Sequence, residues 1–388
     1  LQRLARGARG DLVFVSGHPW STDRLQTYAQ LEMSRDHTYP YLIEYIKRQL
    51  EVVKSYAAKG PEQAREAANL RFGLENWLKA VNGEYQGLMD AKLMAKKANG
   101  EQEFRARLAA SPELAKAYSG AWDDIAKAEK AYLERFNEYN YRLYSGYSLP
   151  DHAQTIVRYV VEVKKPDGER LEEYHEAGLE SLRFALFSPA PVYPGLEEVL
   201  LASSLRQSLE KLGPEDPFVK AALGGKTPEA VAKELIANTK LGDPAFRRKL
   251  IDGGEKAVAG STDPLIAFAR RLDPIRREMR KWYEDNIQSV EIANGEKIGK
   301  ARFAVYGKTT YPDATTTLRL SYGTVSGYPM NGTKAPSKTT LYGLYDRAAS
   351  FDFKPPFDLP ARYVERKARL AYTRPGRQDH QVGRRQRF

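Results

Sequence analysis

Apolar positions recur at helical spacing through most of the chain. In "YLIEYIKRQLEVVKSYAAKG" the residues Leu42, Ile46, Leu50, Val53 and Tyr56 fall on one stripe, and Gly60 supplies a stop. Pro61 opens the next helical run, which carries "FGLENWLKAVNGEYQGL" and ends at Gly100. A third run, "SPELAKAYSGAWDDIAKAEKAYLERFNEYNYRLY", sets Tyr118, Trp122, Tyr132, Phe136 and Tyr139 at spacings that suit a packed helix face. Helices resume at "GLEEVLLASSLRQSLEKLG", "TPEAVAKELIAN", "DPAFRRKLIDGG" and "DPLIAFARRLDPIRREM", and several open on Ser, Thr or Asp followed by Pro. Between them, Val157 to Lys164 fits a strand or the body of a helix, because β-branched residues alternate with charges.

The two ends depart from this pattern. "DLVFVSGHPWSTDR" predicts a short strand, Leu12 to Val15, then a turn and a helix start capped by Ser21 or Thr22. Near Lys300 the chain becomes rich in Gly, Thr and Tyr. There "ARFAVYG", "TTLRLSYGTVSGY" and "TTLYGLYDRA" predict strands and turns. Leu318, Leu320 and Tyr322 alternate with Arg319 and Ser321, the period-two pattern of a strand with one buried face. These strands are too few to close a barrel or a sandwich by themselves.

Composition removes several classes of function. The absence of cysteine excludes disulfides, thiolate metal sites and a cysteine nucleophile. The net charge of +11 invites a nucleic-acid reading, but Ala361–Phe388 holds nine Lys/Arg against two Asp/Glu and so carries +7 of it. The remaining body is nearly balanced and its charges are mixed, so no nucleic-acid partner is expected. No apolar run approaches the length of a membrane span. His18, His37, His152, His175 and His380 show no metal-ligand spacing, and no nucleophile elbow, Walker loop or Rossmann fingerprint occurs. No metal or organic cofactor is expected. The pairs Asp123–Asp124 and Glu172–Glu173 read as solvated helix faces.

Three segments, "GDLVFVSGHPWSTDR", "FGLENWLKAVNGEYQGL" and "YPDATTTLRLSYGTVSGY", occur in this order at long intervals. Together with "TTLYGLYDRAASFD" they resemble the bacterial serine exopeptidases of the dipeptidyl-peptidase 7/11 type, over about Gly10 to Asp358. The resemblance implies an α+β fold, in which a large helical domain is inserted in a chymotrypsin-like double β-barrel, both barrels being incomplete in this chain. It assigns residues 1–20 to the end of the first barrel, 21–298 to a helical lid and 299–369 to the start of the second barrel. It leaves 370–388 as an aberrant or disordered basic tail. The family turn "GxPG" reads Gly17-His18-Pro19-Trp20 here.

The implied activity is removal of dipeptides from the free N-terminus of oligopeptide substrates by a Ser-His-Asp triad. The family's "GGNSGSP" nucleophile motif is not in the sequence, and its His and Asp precede Leu1, so no catalytic residue is nominated and the chain alone is expected to be inactive. One family residue carries over. "ENWLKA" supplies Asn76, with Lys79 three residues on, as the amide that holds the substrate's α-amino group. The resemblance further implies a homodimer and a periplasmic or cell-surface location for the intact protein, and leaves the side-chain preference at the cleavage site open. The residues by themselves leave a rival: a non-enzymatic helical binding protein whose basic C-terminal tail docks on an acidic partner. It predicts no unpaired strand edges, whereas the peptidase reading predicts exposed edges at Leu12–Val15 and Leu318–Tyr322.

Overall fold

Five Asp-Pro, Thr-Pro and Ser-Pro pairs mark helix starts. In a computed structural model, which describes residues 8–142, 148–307, 313–330, 332–338 and 340–367, the chain opens with strand β1 (Leu12–Gly17). Helices α1 (Tyr28–Met33), α2 (Tyr39–Ala57), α3 (Pro61–Met89) and α4 (Ala91–Ala109) follow. Next come α5 (Pro112–Tyr118), α6 (Ala121–Glu134), α7 (Phe136–Tyr141), α8 (Ser148–Glu162) and α9 (Glu176–Leu186). The run continues with α10 (Pro194–Leu212), α11 (Pro217–Leu223), α12 (Pro228–Asn238), α13 (Pro244–Asp252), α14 (Gly254–Ala259), α15 (Pro264–Tyr283) and α16 (Ser289–Tyr306). Strands β2 (Arg319–Thr324), β3 (Tyr328–Met330) and β4 (Thr333–Ala335) precede α17 (Leu341–Ala349) and α18 (Ala361–Arg366).

At α5, α11, α12, α13 and α15 the residue before the proline caps the helix. Asp216 accepts from Phe218 N at 2.8 Å, Thr227 from Ala230 N at 3.2 Å, and Asp243 from Ala245 N at 2.8 Å. The proline itself has no N–H to leave unsatisfied. Asp263 does more than cap α15. It is buried, and besides Leu265 N (3.0 Å) it accepts from Thr239 Oγ1 (3.0 Å) and Lys240 N (2.7 Å). Asp263→Ala is therefore expected to cost about 2 kcal/mol against about 1 kcal/mol for the exposed cap mutation Asp243→Ala. Urea midpoints of the two variants check this, and equal losses would contradict it.

The described residues fall into two compact units, those from 23 to 307 on one hand and those from 8 to 22 with those from 313 to 367 on the other. Three apolar clusters fill the helical unit. Ile46, Leu50 and Val53 of α2 pack with Ala67, Leu74 and Val81 of α3 and Leu200 of α10. Ile156, Leu205, Phe218, Leu265 and Phe268 belong to the largest cluster. Phe104, Trp122, Ile125 and Ile298 join α4, α6 and α16, with Phe104 and Trp122 edge-to-face at 5.3 Å. Two π-helical turns, Ser34–Thr38 and Glu284–Gln288, interrupt the helices that lead into α2 and α16.

In the smaller unit β1 and β2 pair antiparallel, Leu12 opposite Thr324 through Gly17 opposite Arg319, although some 300 residues separate them in sequence. Strands β3 and β4 form a separate hairpin, Tyr328 opposite Ala335. Tyr345 Oη donates to the Tyr363 carbonyl at 2.6 Å and ties α17 to α18.

Several expectations are corrected here. Thr22 does not cap a helix: its hydroxyl donates to Asp313 (2.8 Å) and accepts from Ala314 N (3.0 Å). Thr27 caps instead, in a reciprocal box with Gln30. The break after α3 falls at Asp90, which caps α4, and Gly100 lies inside that helix. Residues 157–162 are helical because Ile156, Val157, Tyr159 and Val160 are all buried, and this packing outweighs the strand preference of the β-branched side chains. "ARFAVY" ends α16 with Ala301 buried, and "LYGLYDRAA" is α17 with Tyr345 and Ala348 buried three residues apart. The expected buried face of β2 is not seen: Leu320 is 64% and Tyr322 77% exposed, since a two-stranded ribbon has no second layer to cover it. The two strands pair with each other along one edge each, and among the described residues no strand lies against the other edge of either. Residues 370–388, including His380, lie outside the described residues.

Candidate functional site

Asn76 sits on the outward face of α3. The same helix turns Ala67, Leu74 and Val81 inward against α2, and at 100° per residue position 76 faces away from position 74. Asn76 and Lys79 are both exposed and lie one turn apart on that face. The neighbouring Glu75 is already engaged, accepting from Arg71 Nε at 2.9 Å with Lys54 at 3.9 Å. Trp77 is 40% exposed and its indole meets Tyr45 edge-on at 6.1 Å, which ties the solvent-facing turn to α2. Among the described residues no hydrogen bond or ion pair holds the Asn76 amide, so its oxygen and nitrogen are open to a ligand.

An aromatic seam that the sequence only half disclosed joins α2, α6, α7 and α15. Tyr41 meets Phe136 and Tyr141 edge-on at 5.7 and 5.4 Å, and Tyr132 meets Tyr139 at 5.5 Å. Tyr139 and Tyr283 stack at 4.2 Å. Of the five aromatics expected on one helix face, Tyr132, Phe136 and Tyr139 join this seam. Trp122 instead enters the core shared by α4, α6 and α16, with Tyr118 packed at its edge.

Two clusters of charge were not foreseen. In the first, Asp273 of α15 accepts from Arg158 Nε (2.7 Å), Gln154 Nε2 (2.9 Å) and Arg277 Nε (2.6 Å). Arg277 also reaches Glu162 at 2.6 Å, a carboxylate with no solvent exposure that accepts from Lys165 and from Leu171 N as well. Burial opposes ionisation of Glu162, but these donors prevail and hold its carboxyl below the usual range. Glu173, expected on a solvated face, pairs with Arg280 at 2.6 Å. A cleft of about 290 Å³ lined by Arg142, Arg158, Arg276, Arg280, Tyr139 and Tyr283 borders this network. It is not an open anion site, because Arg142 pairs with Asp216 at 2.8 Å and Arg158 and Arg280 with the carboxylates just named.

The second cluster joins α6 to α16. Glu129 and Glu291 share a hydrogen bond, and Gln30 Nε2 donates to Glu291 at 2.5 Å. Burial, then the neighbouring Glu291, push the Glu129 carboxyl up to about 8. A raised carboxyl favours folding fully below its unfolded value near 4.5 and loses that contribution as pH rises through about 8. Urea stability is thus expected to fall by about 1–2 kcal/mol between pH 5 and pH 8.5, allowing for solvent screening, and Glu129→Gln should remove most of that slope. A slope unchanged by the substitution would contradict this.

Three of the described histidines make contacts within the protein. His18 Nδ1 lies 2.9 Å from the Thr316 carbonyl, and His175 Nε2 3.3 Å from that of Arg170. His152 meets the buried Arg247 guanidinium, and burial followed by that charge lowers its imidazole to about 4. Among the described residues no group of acidic or histidine side chains could hold a metal ion, and no helix is long and apolar enough to cross a membrane.

The peptidase S46 family profile matches residues 4–384. The chain belongs to that family. An Asp/Glu-specific dipeptidyl-peptidase of Shewanella putrefaciens is 26% identical to this S46 chain over 332 residues, 82% of this chain and 44% of that protein. Dipeptidyl-peptidase 7 of Capnocytophaga gingivalis is 22% identical over 377 residues, 92% of this chain and 50% of that protein. The crystal structure of Porphyromonas endodontalis DPP11 in complex with the dipeptide Arg-Glu superposes with a TM-score of 0.62 at 18% identity, covering 94% of this chain and 52% of that one. The S46 chain thus spans about half the length of the curated relatives it matches.

Proposed function

We propose that the protein is a serine-type dipeptidyl peptidase that releases dipeptides from the free N-terminus of oligopeptides. The S46 match from residue 4 to residue 384, with relatives named as dipeptidyl peptidases, carries this reading. The helical unit acts as a lid inserted in a chymotrypsin-like double barrel. In favour of an insertion, β1 and β2 pair residue for residue although all the helices from α1 to α16 lie between them in sequence. The ribbon they form belongs to the two barrels, and its exposed Leu12, Phe14, Leu320 and Tyr322 are core positions of the complete domains.

Asn76 measures where the substrate begins. Its amide oxygen accepts from the substrate's α-ammonium, and the lid closes off longer N-terminal extensions. A serine outside this sequence attacks the second peptide bond, with His as general base and Asp orienting it, and backbone N–H groups stabilise the oxyanion. The 388-residue chain alone is therefore inactive, and the activity belongs to the full-length, periplasmic or surface-located homodimer. Fluorogenic dipeptidyl reporters test this, in a series with acidic, apolar and aromatic second residues. The full-length protein should hydrolyse at least one class and lose that activity to a serine-directed phosphofluoridate, while the 388-residue chain stays silent. Hydrolysis by the full-length protein that the reagent leaves intact would overturn the serine assignment.

A further inference from the structure

A cleft of about 370 Å³ opens between α8, α9 and α13, and α3 with Asn76 takes no part in it. Its volume lies in the range of small-molecule pockets, on the order of 300–1,000 Å³. Tyr159, Val163, Phe187 and Ile251 form an apolar floor, and Arg183, Arg248 and Asp252 stand around it. Arg248 lies over the Phe187 ring, with its guanidinium carbon 4.1 Å from the ring centroid. Arg183 lies over the Tyr159 ring at 5.5 Å and donates Nε to the Tyr159 hydroxyl at 2.6 Å. Among the described residues no carboxylate pairs with either guanidinium, and no cation pairs with Asp252. The adjoining Lys164 and Glu255 do pair, at 2.6 Å. Asp252 also stands in the last turn of α13, where the helix dipole disfavours a carboxylate. Aromatic rings offer the guanidinium N–H groups no oxygen acceptor beyond the Tyr159 hydroxyl, so both forks keep donors for a planar anion.

We infer that this cleft is a binding site for a small zwitterion with an apolar side chain, the chemistry of a free dipeptide or amino acid. The ligand's carboxylate accepts from Arg183 and Arg248, its ammonium meets Asp252, and its side chain covers the apolar floor. A plain apolar acid would use the arginines but leave Asp252 facing a second anion. A plain amine would satisfy Asp252 but meet two cations. Of the three, only the zwitterion answers every charge around the floor. The inference stands on the cleft itself, and the proposed peptidase activity would release ligands of this class.

Isothermal titration calorimetry of the full-length protein with leucyl-leucine and with free leucine tests this, the tighter of the two giving the ligand's length. The wild type should bind one equivalent more than Arg183→Ala/Arg248→Ala, so ligand held elsewhere in the protein does not confuse the result. Arg248→Ala alone is an exposed change that keeps the Arg183–Tyr159 bond, and it should weaken that equivalent roughly tenfold even if the double variant misfolds. Asp252→Asn should weaken leucyl-leucine by roughly tenfold and leave N-acetyl-leucyl-leucine, which lacks the ammonium, unchanged. Equal binding by the wild type and Arg248→Ala, or no binding of either ligand, would overturn the site. N-acetyl-leucyl-leucine bound as tightly as leucyl-leucine would overturn the zwitterion assignment.

Discussion

Replacing Asp273 by Ala is expected to destabilise the helical unit by about 3–5 kcal/mol, because it removes one anion from a buried cluster and leaves its cations behind. Asp273 and Arg158 are both buried, and Asp273 accepts from Arg158, Gln154 and Arg277 at 2.6 to 2.9 Å. Without it Arg277 keeps Glu162, but the nearest carboxylate left to Arg158 is Glu173 at 3.8 Å, beyond hydrogen-bond range. Asp273→Asn should cost less, since an amide oxygen in the place of Oδ1 still accepts from Gln154 and Arg158. Urea unfolding followed by circular dichroism measures both. A loss under about 1 kcal/mol for Asp273→Ala would mean that the cluster relaxes or admits water, contrary to the packing described.

In the full-length protein, Asn76→Ala is expected to lower kcat/KM for dipeptidyl reporters by about 10- to 100-fold, the range for losing a hydrogen bond to a charged group. Folding should be untouched, because Asn76 is exposed and the apolar positions of α3 lie on its other face. The loss should appear mainly in KM if the amide only binds, and in kcat as well if it also registers the scissile bond. Reporters with a blocked N-terminus should be poor substrates for both proteins. Unchanged kinetics would remove Asn76 from the site.

Much of this architecture was legible because it rests on local chemistry. The stripe of Ile46, Leu50, Val53 and Tyr56, the stop near Gly60 and the residue-proline starts all depend on neighbours within a few positions. The same signal has an instructive exception at Asp273-Pro274, where α15 runs straight through. Asp273 is drawn into the arginine cluster there, and its contacts with α8 are more than 110 residues distant in sequence. Tertiary burial likewise decided residues 157–162 and 301–306 as helix, which β-branched and aromatic content had left open or assigned to strand.

Of the candidate site, Asn76 came from a resemblance and its exposure from the structure. The Glu129–Glu291 pair left no local trace, because the two carboxyls lie on helices 162 residues apart and only the fold brings them together.

The most direct test of the central claim is mass spectrometry of the products when the full-length protein acts on a decapeptide with a free N-terminus and on its acetylated twin. The account predicts sequential release of dipeptides from the free peptide and little or none from the acetylated one. Release of single residues, internal cleavage, or equal cleavage of both peptides would contradict it.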